Sequence, residues 1–153
     1  IRGRIDAFLH FDHRNFREAS VGLVAPKVRK DLNIPETIQA SAHRSLSAAL
    51  KMLDGSVLSN AQFLVGDAMT LADLAAYVEI GQLQPEFTNV FDFSGYPNVQ
   101  RWMSDMKGVD GHDDVHVALT ELGDISERAP DMEQIKQANR RALGAIKARL
   151  EGL

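Results

Sequence analysis

The chain has no cysteine in its 153 residues. Disulfides, thiolate nucleophiles and cysteine-based zinc sites are therefore excluded, and the composition fits a reducing compartment. It has no basic excess either. Lys and Arg total 17 against 21 Asp and Glu, for a net charge of −4, which leaves no electrostatic footprint for nucleic acid or for an anionic membrane surface. No apolar run approaches the length of a membrane span, and no signal-peptide pattern is visible. A Gly-rich phosphate loop, a Ser/His/Asp ordering, internal repeats and convincing strand alternation are all missing.

What is present is helical periodicity throughout, so the expected fold class is an all-α bundle forming one domain over residues 1–153. The chain opens "IRGRIDAFLHF", already in helical register with no initiator Met and no cap, as expected of a piece of something longer. A first long helix is expected from about Ile1 toward Val24, bent or ended by Pro26. A second starts at Pro35 with Ile38, Ala42, Leu46, Ala49, Leu50 and Leu53 on one face, and "DGSVLSN" breaks it. "QFLVGD" is an extended connector, and "QPEFTNVFDFSGYP" a long loop with anchoring aromatics. Pro97 opens a helix with Val99, Trp102, Met103 and Met106 inward. A short helix is expected from about Asp114 to Leu122, capped by Asp113 or Asp114. The last runs from about Pro130 to the end, with Met132, Ile135, Ala142, Leu143, Ile146 and Leu150 as its apolar stripe.

The most heavily specified helix start lies in "FLVGDAMTLADLAAY" (63–77). Thr70 is a good N-cap, and Asp73, three residues on, can reach back to the cap's own N–H, forming a capping box. Met69 and Leu74 have the spacing of a hydrophobic staple. The residues that follow leave almost no polar face, which predicts a helix buried on most sides whose first N–H groups need protein acceptors. Thr70 and Asp73 are thus folding residues.

Two other clusters carry possible chemistry. In the first helix Asp12 and His13 interrupt the stripe Ile1, Ile5, Phe8/Leu9, Phe16, and Arg17 follows. Such a polar break suits either a cleft or a hydrogen-bonded core pair, and Arg17 could equally pair with a nearby acid. "HDDVH" (112–116) sets two histidines one helical turn apart, but Asp113 replaces the Glu that the zinc-protease pattern needs and a third ligand is missing, so no metal site is expected.

The order of landmarks "FLVGDAMTLADLAAYVEIGQL", a loop, then "YPNVQRWM" resembles the C-terminal helical domain of the cytosolic glutathione transferase superfamily. The likeness covers roughly Ile1 to Trp102 well and the remainder loosely. "FLHFDHRNFRE", with Phe11 and then Arg17 six positions on, and "VEIGQL" are similar to the theta-like classes. This resemblance implies that the first helix lines a cleft between two domains, so that Asp12, His13, Phe16 and Arg17 bind substrate. Phe16 would be an apolar wall and Arg17 a permanent positive charge for a thiolate or a glutathione carboxylate. The family's thiol-activating residue sits in an N-terminal thioredoxin-like domain. No βαβ pattern for it exists here, so no catalytic residue is expected in this chain. Arg14 stands where theta-like members can carry an acid, which departs from cross-subunit glutathione recognition.

The resemblance implies the helical electrophile-binding domain of an enzyme that conjugates the glutathione thiol to small hydrophobic electrophiles. Glutathione is then the co-substrate, no other cofactor is required, and the whole protein is a cytoplasmic homodimer with neither nucleic-acid nor membrane partner. The last helix, Pro130 to Leu153, would lie across the pocket as a lid. Two alternatives remain open from sequence: an interaction module of the elongation factor 1 gamma or aminoacyl-tRNA synthetase type, and a ligand-binding protein without catalysis.

Overall fold

The computed structural model describes residues 1–29 and 31–152, and among them every regular element is helical. The helices are α1 (Arg2–Asn15), α2 (Arg17–Ala19), α3 (Ala25–Val28), α4 (Glu36–Met52), α5 (Leu71–Gly81), α6 (Pro97–Lys107), α7 (His112–Leu122) and α8 (Met132–Glu151). Two π-helical turns, Ser20–Val24 and Leu53–Val57, extend the chain beyond α2 and α4. The all-α architecture agrees with the periodicity. Helices α1, α4 and α5 pack around one core, α6 closes it against α5 and the second π turn, and α7 pairs with α8 to one side. Phe16, Leu46, Leu50, Leu53, Ile80, Val99 and Trp102 are fully buried at its centre.

Both π turns correct the expected helix ends. Pro26 does not end the first helix, because the chain widens ahead of it. The N–H of Ala25 donates to the carbonyl of Ser20, five residues back, and α3 then continues with Pro26 in its first turn. Proline is tolerated there, where its missing N–H has no helical partner to lose. Likewise α4 passes into a π turn before it ends, and that turn stops at Val57, inside "DGSVLSN". Leu58 donates to the Leu53 carbonyl at 2.8 Å, so Leu53 and Leu58 both reach the core.

The capping box on α5 forms as expected: Thr70 is extended, its hydroxyl accepts from Ala72 N–H at 3.3 Å, and Asp73 accepts from Thr70 N–H at 2.9 Å. Asp73 does more than the box requires. Fully buried, it also accepts from the Thr70 hydroxyl at 3.0 Å, the Leu64 N–H at 2.8 Å and the Trp102 indole at 3.0 Å. A buried carboxylate is tolerated only when donors replace its water. Three pieces of chain meet on this one side chain: the "QFLVGD" connector, the start of α5 and the middle of α6. The staple contributes less, since Met69 and Leu74 are 38% and 41% exposed.

Helix α5 is also less enclosed than its composition predicts. Ala72, Asp73, Ala76, Tyr77 and Ile80 face inward, whereas Leu71, Leu74 and Val78 form an exposed apolar face. The start of α6 is capped from a distance: the Asp54 carboxylate accepts from the N–H groups of Asn98 and Val99 at 2.7 and 3.0 Å. Helix α7 begins at His112, two residues before the expected start. Its cap is Gly111, whose φ of 83° lies in the left-handed region, and not Asp113 or Asp114. Helix α8 has a second capping box, Asp131 with Gln134, but only Ala138 on it is buried; Leu143 and Leu150 of the expected stripe face outward, as does Ile1 just ahead of α1. Residue Leu153, part of the expected last helix, lies outside the described residues.

Gly22, on the first π turn, is where the backbone of that turn meets α4. A Cβ placed there would stand 2.1 Å from the Cβ of Ala42. Gly22→Ala is expected to destabilise the chain by about 1–3 kcal/mol, the usual cost of overpacking. Adding Ala42→Gly should recover part of that loss by removing the clashing methyl. Urea midpoints of parent, single and double variants measure both effects, and a Gly22→Ala variant as stable as the parent would contradict the close approach.

Candidate functional site

The polar break in α1 divides between two environments. His13, Arg17 and Glu18 form one bank of an open groove of about 450 Å³, facing Ile38, Ser41 and Ala42 of α4, with Val21 along the same side. Arg17 and His13 are exposed, so the guanidinium charge and the donors of both side chains are available to a solute. Phe16 does not share that groove. It is fully buried, with its ring 6.5 Å from Phe8 and edge-on to Phe11 at 5.4 Å. It belongs to the core beneath the groove, and no exposed wall is made from it.

Asp12 does not line the groove either. It stands against α5, where burial and then the like charge of Glu79 raise its pKa. Burial is the larger cause, and together they carry the Asp12 carboxyl up to about 6, with His13 and Arg17 pulling the other way. Its Oδ1 is buried and has no hydrogen-bond partner among the described residues. Beside it the Ser20 hydroxyl donates to Glu79, and Gln82 Nε2 donates to Ser20 Oγ at 2.9 Å. This cross-link fixes the π turn that follows Arg17 to the end of α5. The periodicity did not single out Ser20, Glu79 or Gln82. The available signal was Glu79 itself, the one charge in α5 beyond its capping turn.

A second cavity, of about 500 Å³, lies between α5, α7 and α8, walled by Leu74, Val78, Val115, Ile146 and Leu150. Val78, Val115 and Leu150 are each more than half exposed. Helix α8 borders this cavity and packs on α7. It does not lie across the His13/Arg17 groove, so the expected lid is corrected: the helix that would cover that groove runs elsewhere. Asn139, which interrupts the α8 stripe, is exposed.

The "HDDVH" histidines are committed to each other and to the core. Gln84 Nε2 donates to the Tyr77 hydroxyl at 3.4 Å, and Tyr77 lies 2.9 Å from His112 Nε2. If Tyr77 donates to Nε2, His112 Nδ1 donates to Asp113 at 2.9 Å, which gives every proton in the chain one consistent direction. Burial pushes the Tyr77 pKa up, keeping its hydroxyl a donor. His116 stacks on His112 at 4.0 Å and donates from Nδ1 to the His112 carbonyl at 2.7 Å. Among the described residues no group of three or more His, Cys, Asp or Glu side chains is placed to hold a metal ion.

Burial lowers the His116 pKa below its ordinary 6.5. A histidine shifted this way contributes stability above the unfolded value and loses it as pH falls through the folded one. His116→Asn should therefore lose less stability than the parent between pH 7 and pH 5. Denaturant titrations at the two pH values decide it, and an equal loss would contradict a half-buried neutral imidazole.

Comparison with known proteins agrees with the helical fold. Residues 17–108 match the glutathione S-transferase C-terminal domain family, which covers α2 to α6. Human glutathione S-transferase theta-1 is 25% identical over 140 residues, spanning 87% of this chain and 58% of the human protein. The mouse theta-1 enzyme is 28% identical over 117 residues, spanning 73% of this chain and 48% of its own length. The chain thus spans about half to three fifths of these curated relatives. Human glutathione-S-transferase T1-1 in its apo form superposes with a TM-score of 0.63 at 24% identity, over 95% of this chain and 62% of that one, a likeness of fold. With the family matched over the helices that carry the Asp73 hub and the Arg17 groove, the chain belongs to the glutathione S-transferase C-terminal domain family.

Proposed function

We propose that this chain is the helical, electrophile-binding domain of a theta-like glutathione transferase. The observation that carries the proposal is Arg17, held exposed beside His13 in an open groove, in a chain whose theta-1 relatives are glutathione transferases. A guanidinium stays protonated at any working pH and binds anions through directed N–H groups. In the parent protein a thioredoxin-like domain would bind glutathione and activate its thiol. Arg17 would then stabilise the thiolate or a glutathione carboxylate, with His13 beside it as a polar contact. The apolar sides of the groove, Val21, Ile38 and Ala42, suit a small hydrophobic electrophile. Phe16 would act from below by fixing the turn that carries Arg17. Asp12 would set the charge next to it.

The exposed apolar faces support a larger parent. Leu71, Leu74 and Val78 on α5 and Val115 on α7 form the kind of surface that a helical domain presents to another domain. The same reading carries a homodimer and a cytoplasmic location, both resting on the resemblance to theta-like enzymes. Among the described residues no helix is long and apolar enough to cross a membrane.

The test has two arms. The purified chain with glutathione and a reactive aryl halide should show no turnover above the uncatalysed rate, because on this reading glutathione is bound and its thiol activated by the thioredoxin-like domain. Joined to a theta-type thioredoxin-like domain it should turn over, and Arg17→Ala should lower the rate about tenfold to a hundredfold, the equivalent of roughly 1.5–3 kcal/mol for a charged hydrogen bond. Removing that charge should also raise the bound thiol's pKa and shift the pH profile upward. An Arg17→Ala enzyme with unchanged rate and pH profile would contradict the assignment.

A further inference from the structure

We infer that Asp12 of α1 and Glu79 of α5 form a proton-holding pair that makes the seam between these two helices tighten on acidification and loosen as the proton leaves.

The geometry starts from packing. Helices α1 and α5 lie directly against each other, and α1 buries no side chain completely along its whole length. Its hold on the core is the partly buried row Ile5, Phe8 and Phe11, so a charge at the adjoining position is poorly compensated by apolar packing. Asp12 brings a carboxyl to that seam with Oδ1 buried and unpartnered among the described residues. Across the seam Glu79 is a like charge acting on Asp12, and its Oε2 accepts from the Ser20 hydroxyl. Ser20 in turn accepts from Gln82 Nε2, so its own proton is committed to Glu79. Two carboxyl groups with one committed donor between them are relieved most simply by a proton, taken from solvent, on the one without a partner.

The surrounding charges do not remove this requirement. His13 on α1 and Arg17 on α2 attract the Asp12 anion, but both are exposed and screened. On α4 the titratable groups Glu36, His43, Arg44 and Lys51 all point to solvent, and none is among the charges acting on Asp12. On α2, Glu18 is also exposed. From α5 the facing charge is Glu79, of the same sign. The carboxyl pKa of about 6 is the expected consequence of burial beside a like charge.

The sign follows directly. An acid whose folded pKa lies above its unfolded value, about 3.9, binds more protons when folded, so stability falls as pH rises through the interval from about 4 to 6. His116 works in the opposite direction over an overlapping range, which would mask the effect in the parent chain alone. The difference between parent and Asp12→Asn isolates it, because His116 is common to both.

The chain itself serves for the test. Carboxyl-carbon NMR of the parent should show Asp12 titrating near 6, and in Glu79→Gln the midpoint should move down toward the ordinary carboxylate range. In denaturant titrations the unfolding equilibrium constant of the parent relative to Asp12→Asn should rise by about tenfold or more between pH 4.5 and pH 8, a figure held below the full two-unit linkage because the group is half-buried. A parent Asp12 midpoint near 4, a midpoint indifferent to Glu79→Gln, or a stability gap constant with pH would each overturn the inference. The parent titration and the Glu79→Gln comparison hold even if Asp12→Asn does not fold.

Discussion

Four donors converge on the carboxylate of Asp73, and they come from three separate stretches of chain: Leu64, Thr70 and Trp102. Because the side chain is fully buried, water cannot take the place of any one of them. The charge is affordable only in the assembled fold, where the connector, the start of α5 and the indole of α6 are all present together. This makes Asp73 a condition on the assembly of the bundle as well as a cap on one helix. The energy at stake is that of a buried anion left without partners, about 3–5 kcal/mol when one side of such an arrangement is removed.

The groove inherits its rigidity from that frame. Helix α5, started by Asp73, ends at Glu79 and Gln82, which grip Ser20. Ser20 opens the π turn that Gly22 presses against Ala42, and Arg17 sits one short helix upstream. Arg17 and His13 are therefore presented by elements locked on two sides, with Phe16 and Ala19 anchored in the core beneath them. A site built this way holds a charge in place without burying it, as the anion-binding role proposed for Arg17 requires. The cost appears at Asp12, the polar residue of α1 that the seam encloses without giving it a donor.

Much of this was legible in the sequence. Thr70 and Asp73 carry a local signal, as do Pro97 and the inward row Val99, Trp102, Met103 and Met106, because caps and helix faces depend on neighbours three or four residues away. What failed depended on distance. Asp54 caps α6 from 44 residues earlier, and nothing near Pro97 announces it. The indole of Trp102 reaches Asp73 across the core, so the sequence showed a box and not a hub. Leu71, Leu74 and Val78 are exposed although their pattern suits burial, because periodicity reports hydrophobicity and says nothing of what covers it. Pro26 and "DGSVLSN" look like immediate breaks, but a π turn leads the chain into a further helical turn at Pro26 and carries it on as far as Val57. In the candidate site, the stripe placed Asp12, His13, Phe16 and Arg17 on one stretch. A single helical turn then sent Phe16 inward, Asp12 to α5, and only His13 and Arg17 to the groove.

The measurement that bears most directly on this account is a double-mutant cycle between Asp73 and Trp102. Parent, Asp73→Ala, Trp102→Phe and the double variant would be unfolded in denaturant at neutral pH. If the buried carboxylate ties α5 to α6 through the indole, the two substitutions will be coupled by about 1–3 kcal/mol, since the second removes little once the first has broken the bond. Additive effects, agreeing within about 0.5 kcal/mol, would mean that Asp73 caps its own helix and no more, and that something else holds the bundle together.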